Sequence, residues 1–244
     1  MKIHFISYGN QNYVKSRERL RKEAIKSHFF DTVTIYTHED IDNEFKTRYE
    51  DILSQRHGGG YWLWKYYILQ KKFEEVDDGD IVIYADAGCT INSNGKNRFN
   101  EYIKMFDETV NPNKYGIISF QMNLPERDYT VKQLFDYFSY DIEHQYALDG
   151  QYVGGILICK KNEHCKNLLK EYIRIIDDDN QLITNYYKQF PQHYCFIDHR
   201  HDQSILSLLR KIHGSIVVPD ETYFQPFGSK YSLQFPFWAT RIRG

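Results

Sequence analysis

Short apolar runs alternate with longer amphipathic stretches along the chain. "KIHFIS" (2–7) predicts a first strand, and residues 13–30 predict a helix with Leu20, Ala24 and His28 on one stripe among charges. "TVTIYTH" (32–38) is β-branched and predicts a second strand, followed by a helix with a wet face over 39–55. "HGGG" (57–60) breaks the pattern before "YWLWKYYILQKKFEEV" (61–76), a helix with a broad apolar side. A strand over 80–86, a helix over 97–108 and a strand over 115–121 come next. Residues 130–139 open with Thr130 and Gln133 at capping-box spacing and predict a helix. "QYVGGILICKK" (151–161) predicts a strand with a glycine pair inside it. Asn162 caps the helix expected over 162–176, which carries Leu169, Ile173 and Ile176 on one face. "CFIDHRHD" (195–202) predicts a strand running into a loop, then a helix over 203–212 and a strand over 214–219. The aromatic tail has no clear period.

Strand and helix in alternation predict an α/β fold: an open, mostly parallel central sheet with helices on both faces. In such sheets ligands sit beyond the carboxyl ends of the strands, near a topological switch point. The residues to inspect are therefore Ser7 to Asn10, Thr37 to Glu39, Asp86 to Thr90 and His199 to Gln203.

Composition narrows this picture only in part. The 244 residues suffice for one large domain, and the formal net charge of −2 lacks the basic excess of a nucleic-acid binder. The cysteines, at 89, 159, 165 and 195, show no C-x-x-C spacing, which argues for reduced thiols in a cytosolic-type protein. Cys159, His164 and Cys165 have an unusual spacing for zinc and suit a strand end and helix start better. The opening apolar run is too short for a signal peptide and no window approaches a membrane span, so a cytoplasmic location is expected. The 21 tyrosines suit sugar faces and cores equally.

The densest chemistry lies at "DGDIVIYADAGC" (78–89), where an apolar run ends on Asp86 and turns on Gly88. A carboxylate there either binds a cation or ribose, or caps the turn. "HRHDQS" (199–204) is the second cluster, and Asp202 at a helix start is either an N-cap or a site acid. "GGGYWLWK" with "DGDIVIYADAGC", then "QYVGGILICKK" and "HDQSILSLL", resembles nucleotide-sugar glycosyltransferases of the GT-A fold, of a branch found in microbial and large-virus sequences. The ordered pieces cover roughly residues 1–219.

That resemblance implies a single GT-A (Rossmann-like) domain over 1–244, with a nucleotide-binding half (1–120) and an acceptor-binding half with the tail (121–244). It implies transfer of a sugar from a UDP- or GDP-sugar to a hydroxyl of a glycan or other acceptor. Ser7, Tyr8 and Gly9 would meet the base and ribose, with Tyr8 stacking; His38 would meet the ribose. Asp86, Ala87 and Gly88 form the Asp-x-Asp-like turn, but Gly88 stands where the second acid is usual. A divalent cation, Mn2+ or Mg2+, would bind Asp86, with His201 as a borrowed ligand. Lys65, a cation among apolar neighbours that needs a partner, would face the diphosphate. Gly154 and Gly155 mark a bulge or the close approach of a ligand, with Asp149 and Gln151 beside sugar hydroxyls. Asp202 and Gln203 are the candidate catalytic pair. Trp62 and Trp64 are expected in the core, and Lys230, Arg241 and Arg243 can close over the diphosphate. A catalytically inactive nucleotide-sugar binding module is the alternative suggested by Gly88. A metal phosphodiesterase on "DHRHD" ranks below both, because a second histidine cluster is lacking.

Overall fold

The computed structural model describes residues 1–243. One seven-stranded sheet contains β1 (Ile3–Tyr8), β2 (Thr32–Tyr36), β3 (Ile81–Ala85), β5 (Ile117–Pro125), β6 (Gly150–Tyr152), β7 (Ile156–Lys160) and β8 (Ile216–Pro219). A small ribbon joins β4 (Thr90–Ile91) to β9 (Phe237–Trp238) from the tail. The strand order is β2-β1-β3-β7-β5-β6, with β8 on the free edge of β5. β1, β2, β3, β5 and β8 share one direction, while β6 and β7 run against them. The sheet is thus mostly parallel, with β7 inserted antiparallel between β3 and β5.

Both faces are covered, as the unbroken apolar run of β3 requires. Its alternate residues divide between two cores. Val82 and Tyr84 face the helices Trp64–Glu75, Glu163–Asp178 and Asp202–His213 through Ile68, Leu169, Tyr172, Ile205 and Leu209. Ile81, Ile83 and Ala85 face the helices Val14–Ser27 and Lys96–Lys104 through Leu20, Ala24, Phe99 and Tyr102. Each large apolar side chain enclosed this way contributes about 1.5–3 kcal/mol. Among the described residues, no helix is long and apolar enough to cross a membrane.

Several local expectations change. His28 leaves the predicted stripe and ends its helix in the left-handed region at φ 56°. The helix over 39–55 divides into a 3-10 turn (His38–Asp40) and two short helices, Asn43–Arg48 and Glu50–Leu53. Thr130 forms no capping box: its hydroxyl donates to Glu126, and the helix Lys132–Tyr137 starts at Val131. "CFIDHRHD" forms no strand, because its amides bond to a loop: Ile197 N donates to Asp128 O and Arg200 N to Tyr129 O. The strand expected over 151–161 breaks at Val153–Gly155, between β6 and β7.

The entry to the Trp64–Glu75 helix is unusual. Gly58, Gly59, Gly60, Tyr61 and Trp62 all have positive φ, from 50° to 95°. A Cβ on Gly60 would lie 2.7 Å from Leu53 Cα, so this crowded turn requires glycine there. Tyr61 and Trp62 hold the same conformation against the usual L-residue cost, about 1–2 kcal/mol each. The turn carries Trp62 to the mouth of the site.

Candidate active site

A cleft of about 250 Å3 opens where β3 ends, beside the break between β6 and β7. His57, Trp62, Lys65, Asp86, Gly154, Gly155 and the segment 198–203 line it. It therefore brings together Lys65, Asp86, Gly154, Gly155, His201, Asp202 and Gln203 from four separate stretches of sequence.

Asp86 follows the last residue of β3. Its N–H donates to Gly155 O (2.8 Å), and its own carbonyl accepts from Cys89 N (2.8 Å) to close the turn. The backbone thus does the turn's work, and the carboxylate is left for other partners. Oδ1 accepts a short hydrogen bond from Tyr84 Oη, and the side chain remains 41% exposed.

Lys65 reaches this point from the first turn of its helix. Its enclosed Nζ donates to Asp202 Oδ2 (2.6 Å) and Gly154 O (3.0 Å), and lies 3.8 Å from Asp86 Oδ1. Burial alone would favour the neutral amine, but the charges of Asp202 and Asp86 outweigh it and raise the Lys65 pKa. Burial pushes the Asp202 carboxyl up to about 6 against the pull of Lys65, so it is ionised at neutral pH. Two carboxylates against one ammonium leave one negative charge at the cleft. Asp202 is the first residue of the helix Asp202–His213, whose N-cap position is His201. Its Oδ2 is committed to Lys65 instead of capping the helix, and the helix N-terminus favours its charge.

Gly154 and Gly155 give the backbone room to approach. A Cβ on Gly154 would come 2.8 Å from Gln203 Cβ, and one on Gly155 would come 2.8 Å from Asp86 Oδ2. Gly154 N donates to Gln203 Oε1 (2.9 Å).

His201 sits at φ 54°, an uncommon conformation for a non-glycine residue at the edge of a cleft. Burial lowers its pKa to about 4, so the imidazole is neutral. Its Nδ1 lies 2.8 Å from Ile183 O; a carbonyl only accepts, so Nδ1 carries the proton and Nε2 keeps a lone pair. His199 is neutral too, its pKa pushed by burial to about 3, and its ring bonds to Leu182 O and Val131 N.

The donors available to a cation can be tested on these groups. Asp86 offers an exposed carboxylate and His201 a neutral imidazole nitrogen, both oriented by neighbours, and the cleft has residual negative charge. Among the described residues, no group of three or more His, Cys, Asp or Glu side chains is gathered for a metal ion. Gly88 cannot supply the missing acid: a Cβ there would meet the tail backbone, with Arg241 Cα at 3.3 Å. A cation held at Asp86 would have to take most of its oxygens from a ligand.

Other expected contacts lie elsewhere. Ser7 is fully enclosed and its hydroxyl donates to Ala85 O (2.6 Å), tying β1 to β3. Tyr8 is buried with its ring stacked on Trp64 at 3.9 Å, so that face is not open to a base. Gly9 is buried under Arg17 and donates to Tyr36 O. His38 is exposed on a 3-10 turn outside the cleft lining. Ala87 and Gly88 also lie outside the lining; their carbonyls bond Arg19 and the tail at Thr240 and Ile242. Gln151 is wholly buried, and neither it nor Asp149 lines the cleft.

Trp62 and His57 join the cleft without a sequence signal for it, and Arg200 comes from the 199–204 cluster. Trp62, half-buried against the core, also lines the cleft, with its ring 5.8 Å from that of His201. His57 packs on the same imidazole at 4.7 Å. Arg200 lies 3.9 Å over the Tyr129 ring at the cleft wall.

No protein-family profile and no curated protein sequence matches the chain. Its structure is similar to that of a glycosyltransferase involved in glycosylation of the major capsid of PBCV-1 (13% identity, TM-score 0.50), over 98% of this chain and 93% of that one. It is similar also to LgtC, solved as the active-site mutant Q189E (13% identity, TM-score 0.50), over 91% of this chain and 74% of that one. Sheet order, helical layers and these likenesses agree: the chain has the fold of the GT-A glycosyltransferases.

Proposed function

We propose that the protein transfers a sugar from a nucleoside-diphosphate sugar to a hydroxyl of a glycan or similar acceptor. The observation that carries this reading is the Asp86–Lys65–Asp202 cluster, which holds three charges at the open end of the central strand in a sugar-transferase fold. Transfer breaks the bond between the anomeric carbon and a diphosphate oxygen and forms one to the acceptor oxygen. Negative charge grows on the departing diphosphate, and the acceptor loses a proton.

The cluster's parts suit these demands. Asp86 anchors the donor side, and the indole of Trp62 offers a flat face for a sugar ring. Asp202, ionised at neutral pH, is the candidate acceptor of the hydroxyl proton; such help is typically worth about 10²–10⁴ in rate. Lys65 keeps Asp202 oriented and places its charge beside the donor side. Asp86, with His201 as a second ligand, would hold a divalent cation, which would supply positive charge to the diphosphate when bound. Gly88, backed by the tail, favours as a second reading a module that binds a sugar nucleotide without turning it over.

Release of nucleoside diphosphate across a panel of UDP- and GDP-sugars, with Asp86→Asn as control, tests the proposal. Turnover that depends on Asp86 supports it. Equal turnover in the variant removes it, and tight binding without turnover selects the second reading.

A further inference from the structure

Behind the cleft lies a polar chain that the proposed chemistry leaves unexplained. Glu126 is 0% exposed, yet four donors converge on its carboxylate. Lys211 Nζ lies 3.0 Å from Oε2, which also accepts a short hydrogen bond from Ser207 Oγ. Thr130 Oγ1 (2.8 Å) and Gln151 Nε2 (2.7 Å) donate to Oε1. The chain continues to the cleft: Gln203 Nε2 donates to Gln151 Oε1 (2.6 Å), and Gly154 N donates to Gln203 Oε1 (2.9 Å).

The direction of this chain is fixed at both ends. A carboxylate ringed by donors only accepts, so Gln151 must turn its NH2 toward Glu126 and its oxygen toward Gln203. A backbone N–H only donates, so Gln203 must turn its oxygen toward Gly154. Both ends demand the same orientation of Gln203. Its oxygen is pinned against the strand break and one N–H is held by Gln151, leaving the second N–H for the cleft that Gln203 lines.

We infer that Glu126 is a positioning residue that acts through Gln151 to hold the Gln203 carboxamide as a hydrogen-bond donor to an oxygen of the bound sugar nucleotide. The ligand's identity rests on the function proposed above; the relay itself rests on the hydrogen bonds. Gln203 then works by donating to an oxygen.

The relay can be reversed and restored. In Glu126→Gln, Lys211 still demands an oxygen at the Oε2 position, so the new NH2 faces the Gln151 NH2. Flipping Gln151 and then Gln203 moves that opposed contact to the Gly154 N–H and also turns the Gln151 NH2 toward Arg200 Nη1, which otherwise donates to its oxygen (3.4 Å). In the double variant Glu126→Gln with Gln151→Glu, the amide at 126 donates to the carboxylate at 151, which accepts from Gln203, and the original direction returns.

Two measurements on the whole protein test this. Kinetics with a nucleotide sugar should show a kcat loss of about tenfold or more in Glu126→Gln, with KM little changed, as for a misplaced oxyanion-type donor. The double variant should recover most of that loss. Side-chain amide NMR of 15N-glutamine-labelled protein, without ligand, should show a slowly exchanging Gln203 NH2 that Glu126→Gln abolishes and the double variant restores. An unchanged Gln203 signal in Glu126→Gln, or a double variant no better than the single one in either measurement, overturns the relay. Absence of turnover in the wild type counts against the proposed function alone, since the NMR comparison still decides the relay.

Discussion

Lys65→Met isolates the central ion pair. Methionine keeps the volume of the side-chain stem but removes the ammonium from Asp202 Oδ2, Gly154 O and Asp86. Breaking a buried pair by removing one partner costs roughly 3–5 kcal/mol, because a charge is left uncompensated. Asp202 can escape part of that cost by taking up a proton, so the loss must depend on pH. In the wild type its folded pKa, about 6, lies above the unfolded value of about 3.9. A carboxyl raised on folding binds its proton more tightly when folded. Its contribution to stability is therefore full below about pH 4, falls as pH rises to about 6, and is constant above. At about 1.4 kcal/mol per unit, that fall is about 3 kcal/mol. Without Lys65 the carboxyl pKa moves higher, and the decline continues beyond pH 6. Urea unfolding at pH 5, 7 and 8.5 should show a small deficit in Lys65→Met at pH 5 that grows by about 2–3 kcal/mol by pH 8.5. Parallel stability curves for the two proteins across that range would refute the assignment of Asp202 as the buried partner.

Asp86→Asn should weaken sugar-nucleotide binding measured by calorimetry, and chelation should weaken the wild type but not the variant; equal sensitivity to chelation in both would move the cation away from Asp86. Gly155→Ala, which sets a methyl group 2.8 Å from Asp86 Oδ2, should lower turnover about tenfold or more by displacing that carboxylate while shifting the melting temperature only a few degrees; normal turnover would show that the carboxylate has room to move without consequence. With Asp202 at about 6, kcat/KM should climb with pH through about 6 and level off above it. Asp202→Asn should lose about 10²–10⁴ in rate together with that limb, and a surviving limb would assign it to another group.

Much of the architecture was written in short-range patterns. The apolar run of β3 announced a strand covered on both faces, and its end located Asp86. Lys65 among aromatic residues called for a partner, which is Asp202, but nothing local could say which of the many acids it was, because 137 residues separate them. The direction of β7 was hidden for a related reason: strand periodicity is the same in parallel and antiparallel sheets, and direction depends on a long connection. The burial of Ser7 and Tyr8 was not legible, because a polar residue at a strand end looks alike whether it faces a cleft or a neighbouring strand. Trp62 shows the opposite case: its letters match a core helix and it does pack on the core, but only the left-handed turn after the glycine run lets it line the cleft as well.

The two glycines of the strand break organise more of the site than their lack of side chains suggests. A continuous strand over 151–161 would commit its amides and carbonyls to the neighbouring ladders. The interruption between β6 and β7 releases them at the edge of the cleft. Gly154 O is then free to accept from Lys65 and Gly154 N to orient Gln203, while Gly155 O extends the β3–β7 ladder by holding the Asp86 amide. Two side chains and one backbone amide, from three distant segments, are thus referred to one short piece of backbone, and the absence of Cβ atoms allows Gln203 and the Asp86 carboxylate to approach as closely as they do. A side chain at either glycine would act on several partners together, since the ammonium, the carboxylate and the carboxamide share this anchor. The local defect in the sheet is therefore the element that couples Asp86 to Asp202 and Gln203 across the cleft.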